Sequence, residues 1–302
     1  MIKVFVSMVT FNSSNATVEC LNSLEKVDKI NIELFVIVID NGSQEKFKID
    51  KKFQNYNLKI IRNEKNLGFS GGQNIGIKYA LENGADFIIV LNNDTLLDKN
   101  LIISLVSSLE GKAGIVSPKI YFAKGHEFHK ERYRDKDLGR VIWYAGGIID
   151  FNNVIGRHRG VDEVDNGKYD LKSITDFASG CCMGIKKDVF GKIGFFDERY
   201  FLYYEDNDFS QRAKLAGFDI VYQPKAQLWH KNAASAGGSG SSLQDYYITR
   251  NRLLFGMKFA SFKTKLALIK ESLNLIVSGR KWQKKGSLDF YLRNFGKGSY
   301  PI

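Results

Sequence analysis

Residues Val36–Gln44 read VIVIDNGSQ, four apolar β-formers in a row followed by Asp40, Asn41, Gly42 and Ser43. An uninterrupted apolar run stopped by turn formers is the pattern of a strand buried on both faces, as in a parallel sheet with helices above and below it. The pattern recurs outward from this stretch. Short β-rich runs stand at Val4–Val9, Leu34–Ile39, Leu58–Ile61 and Phe87–Leu91, and apolar residues at helical spacing fill Ala16–Leu24 and Gly72–Glu82. Strands alternating with helices predict an α/β fold, a mostly parallel central sheet flanked by helices. Such sheets bind ligands at the carboxyl ends of their strands. Those ends carry Thr10, Phe11 and Asn12, then Asp40 and Asn41, then Asn63 to Asn66, then Asn92 to Thr95.

Further along, Phe122–Asp176 is irregular, with charged clusters and an interior Gly146–Gly147 that suggests hairpins. Patterning resumes at Phe177, and Tyr246–Val277 reads as amphipathic helix. The stretch GGSGSS at Gly237–Ser242 offers nothing to pack and reads as a mobile loop. At 302 residues, 44% apolar and 25% charged, the chain fits one large α/β domain with a C-terminal extension. The net charge of +11 is concentrated: twelve Lys or Arg against two acids follow from Arg250 onward. That is a basic tail on a nearly neutral body, and a negatively charged partner is expected at the tail. Cys20, Cys181 and Cys182 show neither a disulfide framework nor a zinc spacing, which suits a reducing cytosol. The opening MIKVFVSMVTFN lacks a signal peptide's basic head and long apolar run, and no run of 18 apolar residues occurs. The expectation is a cytoplasmic protein that does not span the membrane.

Three segments carry polar groups with chemical options. Asp40, at a strand end, can accept the imide N–H of uracil or thymine, or simply close an Asx turn. Asn66–Asn74 combines glycines with polar side chains before a helix, so that backbone N–H groups can approach phosphate or ribose oxygens. It lacks the dinucleotide fingerprint, which argues against a nicotinamide enzyme. Glu205, Asp206 and Asp208 gather where a helix begins. Asp208 has the spacing to pair with Arg212, and all three acids could instead serve only the helix N-terminus.

The motifs VIVIDNGSQ, NLGFSGGQNIGI (66–77), LNNDT (91–95) and FLYYEDNDFSQR (201–212) stand in a fixed order between the opening SMVTFN (7–12) and WHKNAASAG (229–237). Together they resemble family 2 glycosyltransferases of the GT-A fold, in the rhamnosyltransferase-like branch of cell-surface polysaccharide enzymes, over roughly Lys3–Phe259. The resemblance implies a catalytic domain at 1–245, with a nucleotide-sugar half at about 1–120 and an acceptor half at about 121–245. A basic helical extension follows at 246–302. It implies donor contacts from Thr10, Phe11, Asn12, Asp40, Asn41, Gly68, Phe69, Asn74, Asn92, Asn93 and Asp94. LNNDT corresponds to the family's aspartate-x-aspartate motif, so Asp94, Asn92 and His230 are the implied ligands of a divalent cation, Mg²⁺ or Mn²⁺. Asn92 replaces one carboxylate there. Asp206 is the implied base, with Glu205 and Gly180 on the acceptor and sugar side.

The expected reaction is an inverting transfer of a sugar from dTDP-rhamnose or a UDP-hexose to a glycan or polyprenyl-diphosphate-linked saccharide. Asp206 would take the acceptor proton as the hydroxyl attacks the anomeric carbon. The alternative is an inactive sugar-nucleotide or glycan-binding module of the same fold. Nucleic acid is not expected, since the tail lacks aromatic stacking platforms and a reading motif. Instead, the basic extension is expected to meet the anionic inner face of the cell membrane, above all beyond Val277.

Overall fold

The computed structural model describes residues 1–232 and 241–301. The buried strand read from VIVIDNGSQ is β2 (Ile32–Asn41), flanked in parallel by β1 (Ile2–Thr10) and β3 (Asn57–Asn63). On the other side of β1 lies β4 (Phe87–Asn92), also parallel. Side chains alternate across this sheet. Val36 and Val38 pack with Cys20, Leu21 and Leu24 of α1 (Ser14–Leu24), whereas Ile37 and Ile39 pack with Ile77 and Ala80 of α2 (Gly68–Glu82). Both faces are therefore apolar, which is why β2 shows no polar alternation.

The sheet then changes direction. After β5 (Thr95–Leu97), α3 (Leu101–Val106) and β6 (Ala113–Phe122) come β7 (Ile142–Tyr144), the hairpin β8 (Gly147–Asp150) and β9 (Ile155–His158), and β10 (Ser173–Ile174). The irregular middle segment thus contains the hairpin its glycines suggested. Next, β11 (Cys182–Lys186) inserts antiparallel between β4 and β6. The helices α4 (Lys187–Ile193) and α5 (Glu205–Leu215) lead into β12 (Asp219–His230), which runs parallel to β6. The main order is β10-β12-β6-β11-β4-β1-β2-β3. Because β11 is reversed, its first residues meet the carboxyl end of β4, the strand beside β1.

Beyond the body the single helix read over Tyr246–Val277 is two, α6 (Ser242–Phe259) and α7 (Phe262–Ser278), with α8 (Lys281–Tyr291) after them. The break is a capping event: the hydroxyl of Ser261 accepts from the Thr264 N–H and starts a new helix. Leu253, Leu254 and Phe255 of α6 join the same apolar core as the sheet. The expected loop at Gly237–Ser242 lies outside the described residues up to Gly240. All three cysteines are free and buried, and among the described residues no helix is long and apolar enough to cross a membrane.

Candidate active site

Five strand ends converge on one edge of the sheet. Thr10 stands opposite Asp40 in register, Asp40 opposite Arg62, and Asn41 opposite Asn63. The N–H of Asn92 donates to the Cys181 carbonyl at 2.8 Å, which fixes Gly180 and Cys181 beside the end of β4. At the end of β12, His230 pairs in register with Thr95.

At the end of β2, the Asp40 carboxylate is buried and accepts from the N–H groups of Ser43 (3.1 Å) and Phe47 (2.9 Å) and from Arg62. Burial opposes ionisation, but the hydrogen bonds from Ser43, Phe47 and Arg62 outweigh it and hold the carboxyl below its usual range. Here Asp40 closes the turn and anchors Arg62, a residue the motif reading missed because its partner is one strand away. Asn41 fixes the following loop: its amide donates to Asn66 and to the Gly68 carbonyl, and its oxygen accepts from Asn63 and the Leu67 N–H. Thr10 is buried and shares a network with Thr17 and Asn93. The Asn12 N–H donates to Ser43 Oγ, and its side chain accepts from the Gln44 N–H. Phe11, Asn12, Gly42, Gln44 and Asn66 line a cavity of about 340 Å³ whose mouth also carries Lys65 and, from the far end of the chain, Lys297. Asn74 sits apart from this cavity, bonded to the backbone of Phe196 and to Glu198.

At the ends of β4 and β12, Asp94 Oδ1 lies 3.1 Å from His230 Nε2. Both are largely buried, and the edge of Trp143 closes against the imidazole at 4.7 Å. The other ring nitrogen, Nδ1, is buried with no hydrogen-bond partner among the described residues. A carboxylate and an imidazole are ligands suited to a divalent cation. Among the described residues no third His, Cys, Asp or Glu joins them, so a metal here would draw its remaining ligands from Asn92, the bound diphosphate or water.

The acid pair opens α5. Asp206 Oδ2 accepts from the Gly180 N–H at 3.0 Å, and Oδ1 accepts from the Asn207 N–H at 2.7 Å and its amide at 3.1 Å. Burial raises the Asp206 carboxyl against these bonds. Glu205 is pushed well above the usual range by burial and then by the charge of Asp206, and its Oε2 lacks a hydrogen-bond partner among the described residues. Adjacent carboxyls with unlike surroundings are pushed apart in proton affinity. Asp206, half-buried and holding the Gly180 and Asn207 N–H donors, is the better placed of the two to carry charge. Asp208 takes the structural task its spacing implied, bonding Arg212 at 2.6 Å as well as Tyr200 and Lys258. Phe69 edges against Phe196, and a Cβ built on Gly180 would lie 3.2 Å from the Phe69 ring and 3.6 Å from Asp206 Cβ. Gly180 therefore leaves Asp206 room. Gly68, at φ +73°, brings the start of α2 against Phe201, whose carbonyl accepts from the Phe69 N–H at 2.7 Å.

The profile of Glycosyl transferase family 2 matches residues 5–194, and the chain belongs to that family. Its relatives place it in the rhamnosyltransferase-like branch. It is 27% identical over 245 residues to the low-salt glycan biosynthesis hexosyltransferase Agl10 of Haloferax volcanii, covering 80% of this chain and 73% of that one. It is 25% identical over 227 residues to the dTDP-rhamnosyl transferase RfbF of Shigella flexneri, covering 73% and 70%. A 64-residue stretch, 21% of each chain, is 44% identical to the N-acetylglucosaminyl-diphospho-decaprenol L-rhamnosyltransferase of Mycobacterium tuberculosis. The fold matches that of the mannosyltransferase PcManGT from Pyrobaculum calidifontis, solved with GDP-Man and Mn²⁺, at a TM-score of 0.55 and 11% identity, over 99% of this chain and 76% of that one.

Proposed function

We propose that this glycosyltransferase moves a sugar from a nucleoside-diphosphate donor to a hydroxyl of a glycan or lipid-linked saccharide, inverting the anomeric centre with Asp206 as general base. The carrying observation is the Asp206 carboxylate, half-buried at the strand-end edge and aimed by the Gly180 N–H. A base for an alcohol must be ionised, positioned and shielded from water, and this one has donors for its charge and burial to raise its proton affinity. The nucleoside lies in the cavity of Phe11, Asn12 and Gly42, with Lys65 and Lys297 at its mouth for the diphosphate. A divalent cation, Mg²⁺ or Mn²⁺, on Asp94 and His230 with Asn92 beside them would neutralise the leaving diphosphate. The relatives' names favour dTDP-rhamnose or another hexose donor, and the decaprenol-linked substrate of one supports a polyprenyl-diphosphate acceptor. Nucleoside diphosphate release from a panel of nucleotide sugars with Mg²⁺ or Mn²⁺ tests this reading. Release from one donor, raised by acceptor, is expected; no release from any donor would favour the binding-module alternative.

The acceptor chemistry also bears on the tail. α7 turns Thr264, Leu268 and Ser272 inward and leaves Phe262 (77%), Leu266 (52%), Leu273 (52%) and Val277 (77%) exposed. These four fall on one helical stripe, flanked by Lys263 and Lys270 on one side and Lys265 on the other. An apolar stripe between cations suits an anionic bilayer surface, where each basic residue contributes about 1 kcal/mol. This reading adds α7 to the expected contact beyond Val277, where α8 docks on α6 with Gly286 against the Tyr246 carbonyl. In flotation with anionic vesicles, the full chain should rise with the lipid and a Phe262→Ser, Leu266→Ser, Leu273→Ser variant should not. Equal recovery of both would remove α7 from the account.

A further inference from the structure

The residues leading into the acid pair are in an unfavourable backbone conformation. Phe201, Tyr203 and Tyr204 have φ of 64°, 69° and 73°, the left-handed region that bulky side chains rarely adopt. Such strain persists only where the surroundings over-determine it. Here the surroundings are two residues of the C-terminal extension. Asn251 Nδ2 faces three carbonyls of this turn, those of Tyr200 (2.8 Å), Leu202 (2.8 Å) and Tyr203 (2.9 Å). Arg250 Nη2 donates to the carbonyls of Tyr200 (3.0 Å) and Arg199 (3.2 Å). Its Nε donates to Asn251 Oδ1 at 3.0 Å, which fixes the amide so that its N–H₂ must face the turn.

Both side chains are completely buried. The guanidinium lies over the rings of Tyr246 and Tyr247, and Phe201 stacks on Tyr247 at 5.3 Å. A fully buried arginine spent on backbone carbonyls is expensive to desolvate, and stabilising the fold alone is a weak reason for one. The turn it holds has two outlets: its Phe201 carbonyl receives the Phe69 N–H, and its end places Asp206 against the Gly180 N–H.

We propose that Arg250 and Asn251 are positioning residues for the glycosyl transfer, clamping the left-handed turn Tyr200–Tyr204 so that Asp206 meets its acceptor hydroxyl. The inference rests on the reading of Asp206 as base. It makes the middle of α6 part of the active site, although the motif reading ended the catalytic domain at residue 245.

The test uses the full chain with Asn251→Ala, and Asn251→Ser should the alanine variant not fold. Hydrogen exchange is followed over residues 178–182 and 199–208, beside kcat and KM for the donor. Exchange should rise in those two segments and stay at parent levels in β1 and β2. Donor KM should hold while kcat for transfer falls roughly 10²-fold, the scale of a misplaced catalytic group. Adding Tyr203→Asn, which tolerates the left-handed region, should recover part of the lost kcat, an outcome general destabilisation would not give. Unchanged kcat, exchange raised throughout the sheet, or no recovery from Tyr203→Asn would overturn the proposal. If the parent turns over no nucleotide sugar yet the exchange pattern appears, the clamp stands and the assigned reaction fails.

Discussion

Glu205 and Asp206 are adjacent in the chain, Glu205 buried and Asp206 half-buried, and Asp206 also receives the N–H groups of Gly180 and Asn207. Glu205, raised by burial and by its neighbour's charge, binds a proton more tightly folded than unfolded. A raised carboxyl stabilises the fold at low pH, and that contribution disappears as pH rises from the ordinary glutamate range through the folded value. Glu205→Gln should therefore flatten the decline of Tm as pH rises above the ordinary glutamate range, measured by thermal denaturation across pH. A decline equal to the parent's would mean that Glu205 is ionised in the fold. At this scale the sequence was informative where partners are local. Asp208 and Arg212 are one helical turn apart, so their ion pair follows from spacing. Arg250 appeared as one more cation of a basic tail, because its carbonyl partners lie 50 and 51 residues away and no local pattern records them.

Helix α2 begins where three parts of the site touch. Gly68 has φ +73°, and a Cβ there would come within 2.4 Å of the Phe201 carbonyl oxygen. Gly68→Ala combines left-handed strain with a collision, so its loss of stability should exceed about 1 kcal/mol. Denaturant unfolding should show this together with reduced transfer; a neutral substitution would place the turn Tyr200–Tyr204 elsewhere. The elements of the first third were legible because buried parallel strands are written as apolar runs. The C-terminal helices were less so. α6 is buried around most of its circumference, while α7 directs apolar side chains both inward and outward, so an apolar periodicity could not say which face packs.

Across the whole molecule, Lys258 of α6 ties the extension to the body, bonding Asp197 at 3.0 Å and also Asp208. Burial works against the Asp197 charge, but Arg199 and Lys258 hold its carboxyl well below the usual range. A depressed carboxyl contributes stability above its unfolded value and loses it as pH falls toward the folded one. Lys258→Met should therefore destabilise the chain near neutrality and much less in acid, as read by urea unfolding at several pH values; a penalty independent of pH would contradict the tie. The charge count foresaw a basic surface, yet Arg250, Arg252, Lys258 and Arg280 are engaged by groups of the protein itself. Everything in the account converges on Asp206 at the junction of donor edge, β11 and the clamped turn. The direct measurement is paired kinetics and nucleoside diphosphate calorimetry on Asp206→Asn. The account predicts unchanged nucleotide affinity with transfer lowered roughly 10²-fold or more, the usual scale for a general base, whereas transfer at the parent rate would contradict it and pass the role to Glu205.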